Sequence, residues 1–244
     1  MLWDLSAING YAIMAKDGRL GSVSDLLFDD TSWLVRWLVV DTGHWLSGRK
    51  VLLTPLVVRH IDPKEQEVTV ELTMQQVKDS PDIDTDRPVS RQIETSIYDF
   101  YGWSPYWGNG LFTDPYGYVG GARMPAPGLG SPRLDAGVAE IQRSEDNPHL
   151  RSGEAVKGYH IHASDGEIGH VADFLLDDTD WSIRYLVVDT KNWWPGIKVL
   201  IPPRLACEID WTDRLVKLDI DRQKVKDSPE YDPSAVADKT YHNS

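Results

Sequence analysis

Acidic residues are the first candidates for chemistry. Asp25, Asp29, Asp30 and Asp41 recur as Asp173, Asp177, Asp178 and Asp189. On an extended strand positions 25 and 29 share a face, so paired carboxylates for acid–base work or a hard-cation site are conceivable. The competing reading is turn and strand-end chemistry, with Arg36 and Lys50, or Arg184 and Lys198, balancing the charge. Duplication favours the second reading, because catalytic sites rarely occur twice in identical form within one short chain. Three imidazoles, His160, His162 and His170, raise the question of a metal. A two-residue loop at Asp165-Gly166 sets Ile161 opposite His170, which sends His160 and His162 to the other side of the hairpin. The first copy has Ala12, Met14 and Ser22 there instead. The chain carries no Gly-rich phosphate loop, nucleophile elbow or zinc-protease helix motif. The expectation is therefore no catalytic residue, no metal ligand and no cofactor.

Aromatic residues are the second set. Residues 96–150 hold Tyr98, Phe100, Tyr101, Trp103, Tyr106, Trp107, Phe112, Tyr116 and Tyr118, followed by a stretch of Gly, Pro and charge. Disordered composition is poor in aromatics, so this connector has work to do. It either packs on its neighbours, or presents a hot spot for a partner with Trp103, Tyr106 and Trp107 at its centre, or stacks on carbohydrate. Trp45 in "GHWLSGRK" and Trp193 and Trp194 in "KNWWPGIK" belong to the same class, as packing or partner-contact residues.

The elements that must position these residues come in two copies. Gly10 aligns with Gly158, and the same offset holds without a gap to Asp84 and Asp232, with about half of the positions identical. Two strand-like runs flank Asp17-Gly18 and again Asp165-Gly166, the dipeptide of a tight hairpin. "VRWLVVDT" and "IRYLVVDT", then "KVLLTP" and "KVLIPP", are rich in β-branched residues. Val68, Val70 and Leu72, like Val216, Leu218 and Ile220, recur with period two, as half-buried strands require. Thr73 and Asp221 are N-caps for a short helix that Pro81 and Pro229 terminate. The reading is mainly β: two small barrels or rolled sheets, each closing its own apolar side and ending in a short helix. Residues 1–95 form the first, 96–150 the connector and 151–244 the second, and this division predicts two separate sheets.

These residues resemble the PRC-barrel family. The likeness is carried by "DGRLGSVSDLLFDD" and "DGEIGHVADFLLDD", by the "LVVDT" strands, and by "GRKVLLTP" and "GIKVLIPP" followed by Ile61-Asp62 and Ile209-Asp210. That family includes the cytoplasmic domain of the photosynthetic reaction-centre H subunit and the C-terminal domain of a ribosome-maturation factor. The resemblance implies a barrel used for docking proteins, and it supplies no catalytic motif.

Composition narrows the class further. The 244 residues carry a net charge of −13, and residues 1–90, 91–150 and 151–244 are each acidic. Phosphate binding needs clustered Lys and Arg, so nucleic acid is not expected as a direct ligand. One cysteine, Cys207, excludes an internal disulfide and fits a reducing compartment. The apolar runs fall far short of the roughly 20 residues of a membrane span. Together these predict a cytoplasmic, non-enzymatic adaptor that docks a protein partner, either as a monomer with pseudo-twofold barrels or as a homodimer. The alternatives are a ribosome- or RNA-processing accessory protein, and an acidic-site hydrolase or carbohydrate binder.

Overall fold

The computed structural model describes residues 1–81, 91–103, 105–106, 149–190 and 196–236. The first part runs β1 (Leu2–Asp4), α1 (Leu5–Ile8), β2 (Ala12–Ala15), β3 (Gly18–Asp29), β4 (Leu34–Asp41), β5 (Lys50–Leu53), β6 (Val58–Asp62), β7 (Glu67–Val70), α2 (Met74–Lys78) and α3 (Arg91–Tyr101). The second runs β8 (Leu150–Ser152), α4 (Gly153–Val156), β9 (His160–Ala163), β10 (Gly166–Asp177), β11 (Ser182–Asp189), β12 (Lys198–Ile201), β13 (Ala206–Asp210), β14 (Leu215–Leu218), α5 (Arg222–Lys226) and α6 (Pro233–Val236). Strand outweighs helix two to one, 46% against 22%, so the protein is mainly β as expected.

Pairing repeats register for register. Ile13 lies opposite Val68 in the parallel pair β2–β7, and Ile161 lies opposite Val216 in β9–β14. Val23 faces Val40 as Val171 faces Val188. The inward residues Ile13, Leu26, Leu38, Val40, Leu53 and Val68 are fully buried, as are Ile161, Leu186, Val188, Ile201 and Val216. The helix signals hold as well. Thr73 and Gln76 form a reciprocal capping box, Asp221 accepts from the Lys224 amide, and both helices stop before Ser80 and Ser228.

One conformational requirement recurs in both copies. At Gly21 a Cβ would meet the Asp41 carbonyl oxygen at 2.0 Å, and at Gly169 it would meet that of Asp189 at 1.9 Å. Only glycine lets these neighbouring strands come so close.

Two findings depart from the expectation. The halves do not form separate sheets: the hydrogen-bonded path runs β13-β14-β9-β10-β11-β4-β3-β2-β7-β6, and neither half closes into a ring by hydrogen bonds among the described residues. Along this path Leu34 opposite Ser182 is the pairing that joins them. The seam is completed by the Val35 amide donating to the Trp181 carbonyl and the Ile183 amide to that of Trp33, both at 2.8 Å. Trp33 and Trp181 adopt φ of 58° and 57°, a left-handed conformation that costs a bulky residue about 1–3 kcal/mol. The junction therefore holds two strained backbones at equivalent positions.

The second departure is an exchange. β1 pairs with β10 of the other copy, with Leu2 opposite Asp177, and β8 pairs with β3, with Leu150 opposite Asp29. Each copy thus lends its first nine residues to its sister as a strap. Gly10 then returns to its own copy by donating to the Val23 carbonyl, and Gly158 does the same to that of Val171. Leu2, Leu5, Ile8, Leu150 and Val156 are buried by the exchange, each contributing about 1.5–3 kcal/mol relative to exposure. Leu5 of one strap packs within 3 Å of where a Cβ on Gly153 of the other would stand, so a large residue meets a small one where the straps cross.

Candidate functional site

The carboxylates singled out in sequence are spent on the fold. Asp25 accepts from the Glu154 amide at 3.1 Å and from the Ser152 hydroxyl, pinning the strap that contains α4. Asp173 holds the opposite strap through the Ser6 amide, at 3.2 Å, and the Ser6 hydroxyl. Burial pushes the Asp25 carboxyl above its ordinary pKa, and its hydrogen bonds offset that only in part. Asp29 caps a turn through the Thr31 and Ser32 amides. Asp177 is buried, which works to raise its pKa, but hydrogen bonds from Thr179 and the positive charges of the Met1 amino group and the Arg184 guanidinium outweigh burial and hold it low. The anticipated balance by Arg36 and Lys50 is not what the structure shows for Asp30. It pairs with Arg151, from the exchanged strap, and with His149 at 2.9 Å.

The histidines differ from expectation through one bulge. Ala163 pairs with Gly166, so Ser164 and Asp165 form the loop, and the register shifts between Glu167 and Gly169. That extra residue sets His160 opposite His170 instead of on the other face. His160 stands 3.3 Å from Glu167, and His170 4.0 Å from Asp189. Among the described residues no group of three or more His, Cys, Asp or Glu is arranged to hold a metal ion.

The aromatic candidates divide. Trp45 is half-buried in the turn Gly43–Leu46, packs on the main core and donates its indole N–H to the Leu20 carbonyl. Trp103 is half-buried and stacks on Tyr101, with ring centroids 4.2 Å apart. Tyr106 donates its hydroxyl to Glu94 at 3.0 Å and lies under the Arg36 guanidinium, 4.0 Å from its centroid. Trp107, Trp193 and Trp194 lie outside the described residues. Trp103 and Tyr106 therefore meet on one patch, the outer face of β3 and β4, where Leu27, Trp37 and Val39 are covered by Ile97 and Tyr98 of α3. Glu94 is fully buried there and accepts from the Trp37 indole at 2.8 Å.

Sequence reasoning missed a concave surface at the junction of the halves. This groove holds about 940 Å³. Its walls are the strained Trp33 turn, strap residues His149 and Arg151, the start of β11, and β13 with the turn Pro203–Leu205 before it. β13 ends the sheet's hydrogen-bonded path, so one edge of it is not paired by another strand among the described residues. Arg151 lies over the indole of the exposed Trp211, 4.4 Å from its centroid. The pseudo-equivalent hollow, walled by Trp3, Trp181 and β6, holds only about 330 Å³. Trp3 stands there where the sister strap has Arg151, and Pro63 where the second copy has Trp211. The signal that could have found the groove is this divergence between otherwise matching copies.

Among the described residues no helix is long and apolar enough to cross a membrane. No curated protein matches the chain. Residues 4–76, from the end of β1 into α2, match the PRC-barrel domain, a non-catalytic domain family, and that match suggests a protein-interaction module.

Proposed function

We propose that the chain is a non-enzymatic docking protein, a rigid platform of two interlocked PRC-type barrels that seats a protein partner. The observation that carries this reading is the use made of the carboxylates. The duplicated acids that had the best claim to acid–base chemistry, Asp25 and Asp173, hold exchanged straps in place. Asp29 and Asp177 cap turns. Exchange of straps ties the relative position of the halves to the stability of each, which is the property a docking platform needs. The exposed Cys207 thiol fits a reducing, cytoplasmic setting, and the overall negative charge argues for protein over nucleic acid as the partner.

The test is affinity capture of the full chain, tagged at its native level and cross-linked before lysis. The expected result is one protein recovered reproducibly in near-equimolar amount. Recovery of the tagged chain alone, across growth conditions, overturns the docking reading.

A further inference from the structure

The two outer faces of the repeated strand are covered differently, and what lies on the first shows what the hollow beside the second is built to accept. In the first half Arg36 lies over the ring of Tyr106, and the neighbouring Trp37 donates to the Glu94 carboxylate. An aromatic ring and a carboxylate from the following segment of chain therefore sit on an Arg-aromatic pair. The equivalent pair in the second half is Arg184 and Tyr185, and both line the junction groove. Arg184 keeps its guanidinium exposed while bonding Asp177 and Asp180. Arg204, on the opposite wall, is exposed and makes no ion pair among the described residues. Three guanidiniums and the His149 imidazole line the groove, against the carboxylates of Asp30 and Glu208. Both carboxylates are already engaged, by Arg151 and by Lys217. Arg151 is held by Asp30, and Arg184 by Asp177 and Asp180, so in a chain with a net charge of −13 it is Arg204 that meets the hollow with no carboxylate on it among the described residues.

We infer that the junction groove is the partner's seat, and that its occupant is a protein segment carrying an aromatic side chain flanked by carboxylates, as residues 91–106 of this chain do on the first half. This rests on the docking reading and names the surface and the chemistry it recognises. An arginine accepts an aromatic face by cation–π contact and a carboxylate by charge-assisted hydrogen bonds, so one groove reads both features. Trp33 adds an apolar wall of the kind that dominates binding energy at protein interfaces.

Cys207, the chain's one cysteine, lies exposed on the groove wall and reports occupancy without added engineering. The probe is a synthetic peptide of residues 91–106, added in trans to the full chain while a maleimide reacts with Cys207. Its own site on the first half is already filled in cis. At saturating peptide the labelling rate is expected to fall at least fivefold. A peptide with lysine in place of Glu94 and Asp99 is expected to bind at least tenfold more weakly. Arg204→Glu, which breaks no ion pair among the described residues, is expected to remove the protection while leaving the thermal transition in place, and Arg184→Glu to do the same where it folds. Unchanged labelling, equal protection by the lysine peptide, or full protection of Arg204→Glu each overturn the proposal. So does protection that appears with protein concentration alone, which would make a second copy the occupant. A partner captured equally by wild type and Arg204→Glu leaves the docking reading standing and removes this groove from it.

Discussion

Trp37 and Tyr185 stand at the same place in the repeated strand, yet Trp37 is fully buried and Tyr185 only half so. Their neighbours differ in the same sense, Arg36 being buried and Arg184 exposed. The strands are near copies, so the difference comes from what lies on them. In the first half Leu150 of the other strap, α3 and Tyr106 cover Leu27, Trp37, Val39 and Leu52. In the second half the matching patch, Leu175, Val187 and Leu200, is covered by Leu2 of the strap and by Tyr231, whose hydroxyl donates to Asp4 at 2.8 Å. Among the described residues the groove opens beside this second cover. A duplicated unit can thus keep its inner core twice and spend its outer face on two different tasks.

The sharpest way to break this comparison is to remove the aromatic residue from each side. Trp37→Ala deletes a fully buried side chain and leaves Glu94 without its indole donor, so a loss of about 4 kcal/mol is expected. Tyr185→Ala is expected to cost less than half as much, with denaturant unfolding as the measure. Equal losses would mean that the two outer faces are covered alike.

The straps offer the next test. Leu2→Ala and Leu150→Ala each truncate a strap residue buried against the sister copy, at an expected cost of about 2–4 kcal/mol. Because each strap belongs to one copy and stabilises the other, both variants are expected to unfold in a single transition by circular dichroism and by tryptophan fluorescence. A variant in which the halves melt apart would show that the exchange does not couple them.

Tyr231→Phe is a smaller change. It removes one hydrogen bond to Asp4, worth about 1 kcal/mol. Asp4 has a raised pKa because burial outweighs the Tyr231 hydrogen bond that lowers it. Loss of the hydroxyl drives that carboxyl further up, so the variant is expected to lose more stability at neutral pH than near pH 4. A deficit independent of pH would place the hydroxyl elsewhere.

Asp25 gives the smallest and most diagnostic effect. Its folded pKa lies above the unfolded value, so its contribution is fully present below the ordinary carboxylate range and is lost as pH rises through the raised pKa. In Asp25→Asn the amide oxygen can still accept from Glu154, and that pH-dependent loss disappears. The melting temperature of the variant relative to wild type is therefore expected to rise between pH 4 and pH 7. A difference that shrinks over the same range would mean that the hydrogen bonds, and not burial, govern this carboxylate.

Much of this molecule was legible in its residues. The offset between Gly10 and Gly158 foretold strands that pair in the same register twice, and the alternation of Val68, Val70 and Leu72 foretold one buried face. Thr73, Asp221 and the prolines behind them set both short helices, because capping and proline geometry act within a few residues. The aromatic connector was read as packing or recognition, and Tyr98, Trp103 and Tyr106 pack. The hairpin at His160 was misjudged by one residue, since a bulge changes register without leaving a mark in periodicity. The groove was not legible, because its walls come from β11, β13, a turn of the first half and a strap of the second.

By itself the amino-acid order determined the duplication, which is plain in the repeated strings, and also the two capped short helices and which face of each strand is apolar, since these follow from spacing between near neighbours. Only the tertiary structure decided that each copy hands its first nine residues to the other. The two receiving strands, "DLLFDD" and "DFLLDD", are so alike that local preference is the same whichever one takes a given strap. The choice is made by the path of the chain and by long-range packing, where Leu5 of one strap fills the space that Gly153 of the other leaves free.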